Sequence, residues 1–116
     1  GMQLNDTHKM AINVSGYLEK NLAGKIGSCD IFNVIDDRNY RAFSIRFKAY
    51  DYFIVLFNYD KGVIGCSIQY GETTFIGLEN SQKWYEKADF DIFCKELQEQ
   101  LELRIPDKFL EANGWK

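Results

Sequence analysis

Apolar residues recur at helical spacing near both ends of this chain and alternate with polar residues through its middle. Near the N-terminus, Met10, Val14, Tyr17, Leu18 and Leu22 fall on one stripe, which predicts a helix from about Asp6 to Ala23. Asn5 or Asp6 can cap it, because a short side-chain oxygen accepts the free amide hydrogens of a first helical turn. Gly24 closes the helix, since glycine takes the left-handed cap conformation without steric cost. Gly16, inside the helix, weakens it slightly and predicts close packing against the sheet.

The period then changes from about 3.6 to 2, and turn residues punctuate the chain. A first strand is predicted from about Ser28 to Ile35, followed by a turn at Asp36-Asp37-Arg38-Asn39. In a second, Tyr40 to Ala49, Arg41, Phe43, Ile45 and Phe47 alternate with Ala42, Ser44, Arg46 and Lys48, the mark of a half-buried strand. A third, Tyr52 to Tyr59, is apolar on both faces through Phe53-Ile54-Val55-Leu56-Phe57, which suits the centre of a sheet. Asp60-Lys61-Gly62 is a hairpin turn into a fourth strand, Val63 to Tyr70. There Ile64, Cys66, Ile68 and Tyr70 share one face, and Gly65, Ser67 and Gln69 the other. Gly71-Glu72 leads to a fifth strand, about Thr73 to Leu78. Connections this short force antiparallel neighbours, because a parallel crossover needs about a dozen residues.

After a polar loop carrying Trp84 and Tyr85, a second helix is expected near Ala88 or Asp89. Phe90, Phe93, Cys94, Leu97 and Leu101 form its apolar stripe, and Glu96, Glu99 and Glu102 its wet side. Pro106 breaks it, and Phe109, Leu110 and Trp115 pack a short terminal helix. The predicted fold is therefore a single two-layer α+β domain over residues 2–116. It comprises an N-terminal helix, an antiparallel meander of about five strands, a C-terminal helix and a short terminal helix. Gly1 before Met2 reads as an expression scar.

Composition adds exclusions. The chain has 116 residues, 46% hydrophobic and 16% aromatic, which suits one packed core. No run approaches the ~18 apolar residues of a membrane span, so no membrane partner is expected. Nor does the N-terminus pair a basic segment with an apolar one in the manner of a signal peptide. Cys29, Cys66 and Cys94 are odd in number and widely spaced, which suggests reduced thiols and a cytoplasmic protein. The net charge of -3 argues against nucleic acid, since Arg38, Arg41, Arg46 and Lys48 are interrupted by Asp36, Asp37 and Asp51.

Candidate chemistry is sparse. His8 is the one histidine, and there is no CxxC pair, so no metal site is expected. Without a histidine beside a serine or cysteine there is no activated nucleophile. Gly24-Lys25-Ile26-Gly27-Ser28 follows a helix and precedes a strand, the wrong order for a phosphate-binding loop. The carboxylates Asp36, Asp37, Asp89, Asp91, Glu96, Glu99 and Glu102 fall at turns, caps and a wet helix face. No catalytic residue and no cofactor are expected.

The surplus aromatics point instead to recognition. Trp84, Tyr85 and Trp115 are candidate interface anchors. If the helices cover Phe43, Ile45, Phe47, Ile64, Cys66 and Ile68, the opposite face carries Ala42, Ser44, Arg46, Gly65, Ser67 and Gln69 around the apolar third strand. Such a face needs a cover. Ser44, Arg46, Ser67 and Gln69 therefore join the candidate binding residues. In architecture alone the domain resembles small bacterial accessory domains, acidic immunity proteins among them, an analogy of fold only. The expected function is a non-enzymatic protein-binding accessory domain, immunity-like or chaperone-like, with homodimerisation through the sheet face as a further partner mode. The alternative is a small-ligand binder, or an enzyme using carboxylates and tyrosines, with a pocket between sheet and helices.

Overall fold

The computed structural model describes residues 5–116. Gly1 and the start at Met2 lie outside the described residues. Helix α1 runs Asp6–Asn21, and Asn5 caps it by accepting the His8 amide. Strands β1 (Asp30–Asp37), β2 (Tyr40–Ala49), β3 (Phe53–Asp60), β4 (Val63–Tyr70) and β5 (Thr74–Gly77) follow. They form one five-stranded antiparallel sheet in the order β1-β2-β3-β4-β5, with β3 at its centre as its doubly apolar sequence predicts. A single 3-10 turn, Tyr85–Lys87, precedes α2 (Phe90–Glu102), which Asp89 caps; Pro106 then starts α3 (Asp107–Ala112).

One sheet face is packed by the helices. Phe43, Ile45, Phe47, Ile64, Cys66 and Ile68 are all buried there and share a core with Val14, Leu18, Phe93, Leu97 and Leu101. Full burial of each large side chain contributes about 1.5–3 kcal/mol, so this layer supplies most of the stabilisation. The fold class follows the alternation in β2 and β4. None of the helices described is long and apolar enough to cross a membrane.

Several local expectations are corrected. Gly16 is solvent-exposed and a Cβ there would meet nothing, so it marks no close packing. The buried side of α1 runs through Thr7, Ala11, Val14, Ser15 and Leu18, while Tyr17 turns outward and stacks on Phe90 at 5.2 Å. Small residues at positions 11 and 15 set the buried side, because they let the helix lie close to its neighbours. β1 extends to Asp37, so only Arg38-Asn39 form the turn. Asp36 is not at the tip: it accepts the Thr7 hydroxyl (2.5 Å) and pairs with Arg41 (3.4 Å). Glu96 and Glu102 are half-buried rather than wet; they accept from Ser81 and Tyr50, respectively.

β1 also carries a bulge that nothing in the hydrophobic pattern announces. Phe32 pairs with Ser44 but Ile35 with Ala42, and Asn33 takes a left-handed φ of 54°. One extra residue bends the strand there. At the β3–β4 hairpin, Lys61 (φ 50°) and Gly62 (φ 92°) both adopt the left-handed conformation that two-residue hairpin turns require.

Candidate functional site

The face opposite the helices is built by strand alternation. Even-numbered residues of β2 and β3 point to it, together with odd-numbered residues of β4. Register places Ser44 beside Asn58, Arg46 beside Leu56, and Leu56 beside Ser67. Phe32 from β1 and Phe75 from β5 stand on either side. Together with Asn33 these residues line a hollow of about 410 Å³.

Leu56 forms its floor and is only 7% exposed although no helix covers it. Phe75 forms one wall and is 48% exposed. On the other side the Arg46 guanidinium lies 4.6 Å from the centre of the Phe32 ring. That stacking keeps the charge in place while leaving its edge free for an anion. Ser44 Oγ donates to Asn58 Oδ1 at 2.7 Å, a fixed polar strip beside the apolar floor. Gln69 flanks the hollow, paired in register with Ile54 and Phe75. Its Nε2 donates to the Gly71 carbonyl at 3.0 Å, while its Oε1 is shielded and has no donor. A second hollow of about 540 Å³, reaching Ile35, Tyr40, Ala42 and Asp60, continues along the same face.

The seven residues singled out from the sequence thus divide. Ser44, Arg46 and Ser67 line one hollow, with Gln69 beside it. Trp84 stands apart: it is 57% exposed and lies against the Lys61-Gly62 turn, with Glu86 and Lys87 around it. Tyr85 packs edge-on against Tyr59 and Phe90, and burial raises its pKa. Trp115 donates its indole N–H to the Gly24 carbonyl at 3.0 Å and meets Tyr50 edge-on, which ties the C-terminal residues to the end of α1. Phe32, Asn33, Leu56, Asn58 and Phe75 complete the hollow without having been singled out as site residues. Asn58 carried a signal, as the one amide inside the apolar run of β3. Phe32 and Phe75 did not, because their neighbours come from other strands.

A larger hollow, about 730 Å³, opens between β4, residues 78–83 and α2. Glu79, Lys83 and Glu99 line it, with Glu96 held by the Ser81 amide (3.2 Å) and hydroxyl (2.5 Å). The buried side-chain atoms left without a partner, Ser15 Oγ and Gln69 Oε1, belong to residues that do not line it. No converging set of buried polar groups marks it as a ligand site.

The thiols are poor nucleophiles. Burial, then the Glu19 carboxylate, pushes Cys29 up to about 12; burial, then Asp91, does the same for Cys94. Cys66 is raised by burial and by neighbouring Cys94. Among the described residues, no group of three or more His, Cys, Asp or Glu side chains could hold a metal ion.

No protein-family model, curated protein or solved structure matches the chain.

Proposed function

We propose that this chain is a non-enzymatic protein-binding domain that engages its partner through the helix-free face of the sheet. One observation carries the reading: an uncovered sheet face holds a hollow of about 410 Å³, floored by Leu56 and walled by Phe32 and Phe75. An apolar floor ringed by fixed polar groups is the arrangement of an interface anchor site. Arg46 supplies direction: the partner brings an apolar side chain for the floor and an acidic group for Arg46. The acidic charge and the fold are compatible with an immunity-like or chaperone-like role.

The test is affinity capture of the tagged chain from a lysate of its source organism. One protein should be retained at stoichiometric level. Ser67→Arg, which fills the hollow, and Arg46→Glu, which reverses its charge, should each weaken retention by tenfold or more, the scale of an interface hot spot. Trp84→Ala should retain the partner. Undiminished capture by both face variants, or a bait that holds nothing, would contradict the proposal.

A further inference from the structure

The strand register arranges the helix-free face in rows. Ser44 and Asn58 form its middle row. Two residues to one side stand Arg46, Leu56 and Ser67; two residues to the other stand Ala42, Asp60 and Val63. Arg46 and Asp60 are thus four residues apart along the strands, or ~13 Å. Among the described residues neither is in an ion pair. The Tyr40 hydroxyl donates to Asp60 at 3.1 Å and holds that carboxylate at its end of the face. Val63 is 46% exposed.

Charge is unevenly spread along these rows. At one end Arg46 and Lys48 stand against Asp30, a net of +1. At the other, Asp37 and Asp60 stand against Lys61, which lies over the Tyr40 ring at 5.2 Å, a net of -1. A face with opposite charge at its two ends complements itself when a second copy is turned end for end.

We propose that the partner of this face is a second copy of the chain, stacked face to face about a two-fold axis that crosses the strands at the Ser44–Asn58 row. This pairing rests on the helix-free face being the binding surface and names its occupant. The axis exchanges the rows on either side of it. Arg46 of each copy then lies over Ala42 of the other, one strand from its Asp60. Val63 of each copy lies over Ser67 of the other, beside the Leu56 floor. Large side chains so meet small ones, as they do where two packed sheets interdigitate. One row further out Lys48 approaches Asp37, while Asp30 falls opposite Ile35, so no carboxylates face each other. The second copy is the occupant because one surface brings both groups that the hollow takes: an apolar side chain, Val63, and an acidic one, Asp60. Five strands ~4.8 Å apart and about 26 Å long give each copy a face on the order of 600 Å². Two such faces bury roughly 1,200 Å², the lower end for a stable interface, so the dimer should dissociate on dilution.

Sedimentation velocity over a wide concentration range, with charge-reversal variants, tests it. The wild-type mass should climb from one chain toward two. Arg46→Glu sets two carboxylates against each other across the axis, and Asp60→Arg two guanidinium groups. Each variant alone should dimerise at least tenfold more weakly. Mixed one to one, the two variants should recover the two-chain mass, because each supplies the charge that the other reversed. Recovery on mixing also shows that both variants fold. A dimer that persists in both variants, or a mixture that stays at one chain, would overturn the proposal. A single-chain wild type whose face holds a different protein in the capture experiment would overturn the second copy and leave the binding face standing. A single-chain wild type that captures nothing would overturn both.

Discussion

Tyr50 sits in the β2–β3 connection with a φ of 56°, a conformation that bulky side chains avoid. Its surroundings hold it there. Its amide donates to the Lys25 carbonyl at 2.6 Å, its hydroxyl to Glu102 at 2.6 Å, and Trp115 packs edge-on against its ring. Burial first, then the Glu102 bond, raises the phenol pKa well above its ordinary value. Tyr50→Phe keeps the ring and removes the bond. Because Glu102 keeps partial access to water, the expected loss is about 1–2 kcal/mol, read from the urea midpoint. The thiols give a pH dependence. Cys29 and Cys94 are raised from 9.0 to about 12, so the folded state holds protons that the unfolded state releases. Stability should therefore be level below pH 9 and fall as pH rises from 9 toward 12. Thermal melts across that range check the sign, and Cys29→Ala should make the fall shallower. A flat profile would contradict the burial of these groups. The environment of Tyr50 was not legible in the sequence, since Lys25, Glu102 and Trp115 lie far along the chain, whereas the apolar stripe of α2 already held Cys94.

At the scale of elements, legibility depended on whether the signal is local. Asn5, Asp89, Gly62 and Pro106 act within a turn or a cap, and each did in the structure what its chemistry suggests. The bounds of β2 and β4 also match their alternation. The β1 bulge at Asn33 was hidden, because an extra residue shows only against the partner strand. The outward turn of Tyr17 was hidden likewise, since stacking on Phe90 requires α2 to be in place. The β3–β4 turn offers a direct test of local chemistry. Lys61 holds a left-handed φ of 50°, which asparagine tolerates better. Lys61→Asn should stabilise the protein by about 0.5–1 kcal/mol, measured by denaturant unfolding. Destabilisation would mean that the Lys61 ammonium over the Tyr40 ring, at 5.2 Å, contributes more than the backbone strain costs.

For the whole molecule, a period-2 pattern with one apolar face was enough to set two layers, while which face the helices cover became legible only in the structure. The shape of the helix-free face was not legible. Its hollow exists because Leu56, with no helix above it, is walled by Phe32 and Phe75 from the two outer strands. Three of the seven candidate residues line it and Gln69 flanks it, while Tyr85 and Trp115 pack against other aromatic rings and Trp84 stands at the far hairpin. Aromatic content alone could not separate anchors from packing, because both uses favour the same residues. The central claim is that the helix-free face is the binding surface. It is tested most directly by titrating 15N-labelled chain with its captured partner and following the backbone amides. The account predicts shifts concentrated at 32–33, 44–46, 56–58, 67–69 and 75. Shifts confined to α1, α2 or residues 79–83, with that face unmoved, would contradict it.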